Sequence, residues 1–518
     1  MSEYPAALAA RELVTALVAQ GVRDVVLAPG SRSAPLAYAL AAAEAAGWLR
    51  VHVRIDERVA GFVALGIARS RPAAVVTTSG TAVANLHPAV LEAHHSRLPL
   101  LIISADRPHE MRAVGANQTT DQAALFGTAL RYAVDLPASL GSPMGVRSAV
   151  VRAVAAATGA RGEAGPVQLN AAFREPLVPA STWHPGPTPQ PYPRVWPIAS
   201  DPRMLELSGP QRTVVIAGDQ ASQAAADLAE SAGWPLLAEP SSGVRASHAA
   251  IAGYRQALSH LGPQIQRVVV FGRPTLSRDI SALLARTDID LIIVAPHDWT
   301  DVAGVAGTVV GGVSWTDGRT DPHWPDLWRQ HQYVPSAQLT GAAVARALLA
   351  ASQTHAVVLG SSLTIRQADD AAPAGADFTR AAVIANRGLA GIDGTIASAS
   401  GVALATDAPV RAMVGDLTFM HDIGALLRGV HEREVNLQVF VINNHGGGIF
   451  ATLEHGQGEH APILDRYFGT PQQADLQSLA RGSGASYQRL STPADLAALM
   501  ARPVIGRSVV EVDLSQSS

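Results

Sequence analysis

Short runs of β-branched and aliphatic residues recur along the whole chain. Nearly every one closes into Gly, Ser, Asp, Asn or Arg before an Ala/Leu-rich helical stretch begins. This alternation constrains the fold more than any other feature. Strands that are apolar on both faces need helices on both sides of a sheet, and a strand–helix–strand repeat joins them in parallel. The expected class is therefore α/β, with doubly wound parallel sheets. The polar residues that end the strands then collect along the carboxyl edge, where open α/β sheets place their ligands.

The runs fall into three blocks. The first extends to residue 180, with strands expected at Asp24–Leu27, Val51–Ile55, Ala73–Thr77, Leu100–Ser104 and Pro166–Asn170. A Pro-rich connector, residues 181–197, reads as an extended linker. The middle block, 198–334, carries "TVVIAGD", "RVVVFGRPTL" and "DLIIVAP". The third, 335–518, carries "HAVVLGSS", "RAAVIAN", "PVRAMVGD", "LQVFVINN" and "RSVVEVDL". Near the N-terminus "ALAARELVTALVAQG" reads as an amphipathic helix stopped at Gly21, not as a signal peptide, and no apolar run reaches membrane-span length. A cytoplasmic protein is expected.

Two absent residue types narrow the chemistry. None of the 518 residues is cysteine, and all 39 basic residues are arginine. Thiolate catalysis, cysteine-held zinc or iron–sulfur clusters, a lysine Schiff base and a standard Walker A loop are all excluded. The net charge of −4 comes without basic or acidic runs, which argues against a nucleic-acid face. What remains is a metal, a noncovalent cofactor, or acid–base work by carboxylates and histidines.

Two segments ask for such chemistry. In "VHVRIDERVAGFVALG" a strand runs into Asp56 and Glu57 and then into an apolar helical run. Asp56 reads as the helix cap. Glu57 lies beside a run that must be buried, and a buried glutamate is costly unless paired or used. In "VGDLTF" and "VINNHGGGIF" two strands end in Asp416 and Asn444, 28 positions apart, about one strand–helix–strand unit. Alone, Asp416 reads as a helix cap and Asn443–Asn444 as a turn. Together at one sheet edge, a carboxylate, an amide oxygen and a glycine carbonyl make a hard-cation set, suited to Mg²⁺ that carries phosphates.

The GD…NN pair resembles the diphosphate–metal motif of thiamine diphosphate (ThDP) enzymes, with Leu417 where those usually have glycine. "APGSRSAPLAYAL", "RIDERVAGFVALG", "TTSGTAVANLHPAVLEA", "ISADRPHEMRAVGANQTTDQ", "GPVQLNAAFREPL", "ANRGLAGIDGTIASASG" and "NNHGGGIF" together resemble the ThDP-dependent 2-succinyl-5-enolpyruvyl-6-hydroxy-3-cyclohexene-1-carboxylate synthases of menaquinone biosynthesis. The likeness covers both outer blocks in order, and the middle block mainly through "FGRPTLSR". It implies three doubly wound parallel-sheet domains of the ThDP-binding fold: pyrimidine-binding (1–180), central (198–334) and diphosphate-binding (335–518). It also implies decarboxylation of 2-oxoglutarate and 1,4-addition of the resulting carbanion to isochorismate.

Site residues follow from the same resemblance. Glu57 matches the family's catalytic glutamate, which stabilises the imino tautomer of the cofactor's aminopyrimidine. Asp416, Asn444 and the Gly446 carbonyl match the ligands of Mg²⁺ or Mn²⁺. Ile392 matches the apolar residue that bends the cofactor. Pro29, Ser362, Arg387 and Gly388 complete the cofactor contacts. Ser31, Arg32, Arg107, Asn117, Gln118, Arg278, Ser362, Arg366 and Arg387 match contacts to the carboxylate-bearing substrates, for which an arginine fork is suited. His445 receives no role. The glutamate and the diphosphate site come from different subunits in this family, so a homodimer or a dimer of dimers is implied. Three other readings stand beside this one. Another ThDP-dependent 2-oxo acid decarboxylase or carboligase would not need the GSRS, ADRP and GANQ segments. A Rossmann oxidoreductase would need G-x-G-x-x-G spacing that "HGGGIF" lacks. A non-catalytic protein of the same fold would not need Glu57 or the metal set.

Overall fold

The computed structural model describes residues 3–138, 143–190, 193, 195–197, 204–295, 297, 299–316, 321–331, 335–350, 356–371, 373–375, 378, 382–456 and 458–514. Six strands form the first sheet: β1 (Asp24–Leu27), β2 (Arg50–Val53), β3 (Ala73–Thr77), β4 (Leu100–Asp106), β5 (Tyr132–Leu136) and β6 (Val167–Ala172), in the order β2-β1-β3-β4-β6-β5. The middle region holds β7 (Met204–Leu207), β8 (Thr213–Ala217), β9 (Leu236–Ala238), β10 (Arg267–Phe271), β11 (Asp290–Val294), β12 (Thr308–Val310) and β13 (Gly312–Trp315). Five of these form a sheet, β12-β11-β10-β8-β9, and β7 pairs with β13. The third sheet uses β14 (Ala356–Leu359), β15 (Val383–Ala385), β16 (Val410–Gly415), β17 (Leu437–Asn443), β18 (Ser486–Leu490) and β19 (Arg507–Asp513), ordered β15-β14-β16-β17-β19-β18. Neighbouring strands are parallel throughout the three large sheets. Counted within its own domain, the third sheet repeats the strand order of the first.

The strand expectations meet the structure at most central positions and miss at edges. β2 stops at Val53 rather than Ile55, because Asp56 caps the next helix at once and the chain must turn before it. β5 and β18 have no counterpart among the expected strands. Both are outer strands with largely solvent-facing, polar patterns, which read as loop. The connector lies against the first domain rather than standing free: Trp183 packs edge-on to Trp48, whose Nε1–H donates to the Gly186 carbonyl at 3.0 Å. The boundaries expected at 198 and 334 fall outside the described residues.

Each large sheet has buried apolar side chains on both faces, as a doubly wound fold requires. One face of the first sheet packs under the helices Pro5–Ala19, Ala34–Ala45 and Pro143–Ala157. Its other face shares one continuous core with the third sheet. The join is made by two helices, Glu57–Ala68 and Thr395–Thr406, which are buried almost throughout. They cross at glycine. A Cβ on Gly66 would lie 2.1 Å from the Ser398 carbonyl oxygen, and one on Gly401 would lie 2.1 Å from that of Val63. No larger residue permits this backbone approach. Among the described residues no helix is long and apolar enough to cross a membrane.

Candidate active site

β16 and β17 are adjacent, with Gly415 in register with Ile442, so the residues just beyond them meet at the carboxyl edge. Asp416 starts a helix there and is 4% exposed. Its carboxylate accepts the N–H of Leu417 at 2.9 Å and the N–H of Gly446. Burial raises its pKa above the ordinary carboxylate value, and those N–H groups oppose the rise. A cation at this carboxylate would compensate the lost hydration. Asn443 turns away, its amide donating to Glu511 at 2.7 Å, while its oxygen accepts the N–H of His445 at 3.1 Å. That turn leaves Asn444 facing a cleft of about 150 Å³ lined also by Ser362, Ile392, Asp416, Gly446 and Phe450. Asn443 thus holds the turn and Asn444 lines the cleft.

The glycines are required by close contact. A Cβ on Gly446, whose φ is +138°, would sit 2.3 Å from the Gly469 carbonyl oxygen, and one on Gly448 would sit 2.0 Å from Asn444 Nδ2. His445 adopts φ 59°, is exposed, and places Nε2 3.2 Å from Asp513. Among the described residues no three His, Asp or Glu side chains gather as metal ligands. Asp416, Asn444 and Gly446 offer oxygen donors whose chemistry would suit a hard divalent ion, and Ile392 is among the apolar residues that line the same cleft.

Beside this cleft stands a group of arginines. Arg366 donates to the Ser362 carbonyl at 2.8 Å. Desolvation, then Arg387, Arg255 and Arg278, lower its pKa. Arg387 is 4% exposed and donates through one Nη to the carbonyl and hydroxyl oxygens of Thr275, at 3.0 and 3.1 Å. Its Nε is buried without a partner. Arg278 starts a helix of the middle domain and is largely exposed, paired with Glu454. An anion here would relieve crowded positive charge.

The first sheet builds a second cluster on its own carboxyl edge. Arg32, 8% exposed, donates to the Phe173 carbonyl at 2.9 Å. Desolvation, then Arg107, lower its pKa. Arg107 donates to Ser79 Oγ and to the Gln118 carbonyl. Nε of both arginines is buried and unpartnered. Pro29, Ser31, Asn117 and Gln118 are exposed along the same edge. Gly30 is pressed against Thr78, where a Cβ would come within 2.3 Å of the threonine Cβ.

Asp56 caps the helix Glu57–Ala68, accepting the N–H of Arg58 at 2.8 Å and of Val59 at 3.2 Å. Glu57 occupies the first helical position and is half-buried. It does not line the cleft of Asp416 and Asn444. The residue before it but one, Ile55, is 76% exposed. The chain therefore presents two separate clusters of these residues, one on each outer sheet. Ser362, Ile392, Asp416, Asn444 and Gly446 are brought together, with Arg366 and Arg387 alongside. Arg32 and Arg107 are brought together with Gln118. Sequence reasoning missed Thr275 and Glu92, which hold the Arg387 loop. The available signal for Glu92 was an acid inside the small apolar helix "HPAVLEAHH".

Comparison with known proteins places both outer regions in one family. A family model described as the thiamine pyrophosphate enzyme N-terminal TPP binding domain matches residues 9–125, and its C-terminal TPP binding domain counterpart matches 375–513. Proteins named 2-succinyl-5-enolpyruvyl-6-hydroxy-3-cyclohexene-1-carboxylate synthase are similar over almost the whole chain. One from an Arthrobacter species is 45% identical over 97% of this chain and 88% of its own length. That of Kineococcus radiotolerans is 46% identical over 98% and 96%. That of Mycobacterium avium is 41% identical over 99% and 97%.

Proposed function

The chain belongs to the family of thiamine-diphosphate-dependent 2-succinyl-5-enolpyruvyl-6-hydroxy-3-cyclohexene-1-carboxylate synthases, and we infer from that membership that it carries out their reaction in menaquinone biosynthesis. The substrates are 2-oxoglutarate and isochorismate. The first loses CO₂, and the remaining four-carbon unit adds to the second in a 1,4 sense. Bound ThDP supplies the acidic carbon that takes up a 2-oxo acid and holds the charge left when CO₂ departs.

The chain's own residues divide the remaining work. Asp416, Asn444 and the Gly446 carbonyl would hold Mg²⁺ or Mn²⁺ beside the diphosphate. Ile392 would pack against the cofactor, and Ser362, Arg387, Gly388 and Pro29 would border it. Glu57 holds a proton at its carboxyl for the pyrimidine N1′. Arg32, Arg107, Arg366, Arg387 and Arg278, with Ser31, Asn117, Gln118 and Ser362, orient the substrate carboxylates. A bidentate guanidinium in a desolvated site positions an acid in both distance and angle. The supporting observation is the convergence of Ser362, Ile392, Asp416, Asn444 and Gly446 on one cleft beside two crowded arginines.

The working unit is a homodimer or a dimer of dimers. Glu57 lies outside its own chain's cleft, and exposed Ile55, Pro29 and Ser31 flank it on the first-sheet edge. A second copy that covers this edge brings its cleft to Glu57 and buries the apolar residue. Purified protein supplied with ThDP, Mg²⁺, 2-oxoglutarate and isochorismate should release CO₂ and consume isochorismate together. Absence of an isochorismate-dependent product would remove the assignment.

A further inference from the structure

Glu92 lies on the helix His87–His95 of the first domain and is 4% exposed. Its two carboxylate oxygens reach into the third domain. One accepts the N–H of Gly388 at 2.7 Å and the Ser96 hydroxyl at 2.8 Å, and the other accepts the N–H of Leu389 at 2.8 Å. A buried carboxylate with three donors is well compensated, and such charge-assisted bonds fix geometry more tightly than neutral ones. Two of the three donors are the backbone amides that directly follow Arg387.

The same loop is held from the middle domain. Arg273 donates to the Gly388 carbonyl at 3.1 Å, and Thr275 takes the Arg387 guanidinium. The residue beyond Arg387 is therefore fixed at both its N–H, by Glu92, and its carbonyl, by Arg273. Space around the loop makes this matter. Leu389, Gly391 and Asp393 border a cavity of about 340 Å³ that Glu92 also lines. Packing does not hold this stretch on that side, so a loop freed from the carboxylate has room to shift. A Cβ on Gly388 would lie 2.7 Å from the Glu92 carbonyl oxygen and 2.9 Å from its carboxylate, so the approach is already as close as glycine allows.

We propose that Glu92 is a positioning residue for the reaction: its carboxylate, carried from the first domain, clamps the Gly388 and Leu389 amides and so sets the aim of the Arg387 guanidinium toward a substrate carboxylate. The proposal rests on the reading of Arg387 as a substrate contact. It predicts a defect mainly in substrate capture, with cofactor loading, to which Gly388 belongs, and chemistry changed less.

The test compares Glu92→Gln, Arg387→Ala and the double variant in the full-length protein loaded with ThDP and Mg²⁺. KM for each substrate and kcat are measured beside ThDP affinity by calorimetry. Glu92→Gln keeps the shape but places an NH₂ where an acceptor stood, so one amide loses its partner. The expected result is a KM about tenfold higher for one anionic substrate, with kcat within about threefold and ThDP affinity within about twofold of the parent. Arg387→Ala should raise KM for that same substrate, and the double variant should be less impaired than the product of the two, because both act through one contact. An unchanged KM in Arg387→Ala would overturn the reading of Arg387, and the clamp's role with it. A raised KM there with an unchanged KM in Glu92→Gln would overturn the clamp alone, even if melting temperature fell. If Glu92→Gln does not fold, Ser96→Ala is read instead: it frees the carboxylate on one side and should raise the same KM about threefold, and no change would refute the proposal.

Discussion

The first and third sheets share one strand order and carry opposite chemistry. After β1 come Ser31 and Arg32, and after its counterpart β14 come Ser362 and Arg366. After β2 the chain starts a helix with Glu57, and after β15 it passes Arg387 and Ile392 before starting the helix that packs against that one. After β4 stands Arg107, and after β17 stands Asn444. Topology therefore fixes where functional residues can be, at equivalent strand ends, and leaves their type free. The first sheet carries an acid and buried arginines at its edge. The third carries a carboxylate and an amide beside apolar side chains. Under the proposed function neither edge is a complete site.

The largest expected effects come from breaking that division one half at a time. Glu57→Gln should retain ThDP and metal binding while lowering turnover by about two to four orders of magnitude, the usual range for loss of a proton-handling group. C2–H exchange of bound ThDP, followed by NMR, should slow in parallel. Asp416→Ala should abolish metal-dependent ThDP affinity in calorimetry, because one anionic ligand is lost from a three-ligand set. Mixing the two inactive variants gives the sharper result. If the halves complement each other across subunits, random exchange makes half of the dimers mixed, and each mixed dimer has one intact site. About a quarter of parental activity should return. No recovery after demonstrated exchange would place both halves in one chain and undo the comparison.

How much of this was legible beforehand follows from what each feature depends on. The central strands were readable because burial on both faces writes a nearly continuous apolar run, as in the β3 and β17 segments "AAVVT" and "LQVFVIN". The outer strands β5 and β18 were not, because one side faces solvent and the pattern dilutes. Asp416 and Asn444 were legible because register in a parallel sheet converts sequence spacing into adjacency. Arg387 was placed by its motif, but its partners were not. Thr275 and Glu92 come from two other domains, and no local pattern encodes contacts nearly three hundred residues apart, such as Glu92 to Gly388. The crossing of Gly66 on Gly401 was likewise hidden, since a glycine in a helix looks like a defect until the second helix is in place.

That crossing is the next target, since it couples the two equivalent helices. Gly401→Val must push two buried backbones apart, where even a Cβ would stand 2.1 Å from the Val63 carbonyl. Overpacking of this kind costs about 1–3 kcal/mol or more. A lowered melting temperature with a broader transition is expected, because the core shared by both outer domains would split. An unchanged melting curve would show that the outer sheets do not depend on each other within one chain.

A smaller, pH-dependent effect concerns how the middle sheet supports the third. Glu239 is buried beside Asp369, Arg387 and Asp219, with Arg245 and Tyr254 against Asp369, and accepts the Leu276 N–H at 3.0 Å. Burial, then the Asp369 charge, push its pKa up to about 8 from 4.5. The folded chain thus holds a proton that the unfolded chain releases above pH 4.5, so stability falls as pH rises between about 4.5 and 8, then levels off. Asp422, pushed up to about 7 by burial, adds to the same decline at lower pH. Glu239→Gln cannot ionise. It should leave the melting temperature near pH 5 almost unchanged and raise it above pH 8, where the gain in stability is on the order of a few kcal/mol at most. A parallel decline in parent and variant across that range would remove Glu239 from the pH response.

Arg278 should give the smallest change, and it tests whether the middle sheet belongs to the site at all. Its side chain is 71% exposed and pairs with Glu454, which is 61% exposed. Solvent screens so exposed a pair almost completely, so Arg278→Ala should shift melting by no more than about a degree or two. The proposed role as a substrate contact predicts a different signature. Arg278 lies close enough to lower the pKa of Arg366, so it adds to the positive potential over the cleft. An exposed cation acting at that range is screened by salt. Arg278→Ala should therefore raise KM for an anionic substrate about two- to fivefold at low ionic strength, and the difference from the parent should shrink as salt is added. A KM equal to the parent at low salt would confine the functional arginines to the two outer sheets, and the middle sheet would serve the site only through the Thr275 and Arg273 contacts to the Arg387 loop.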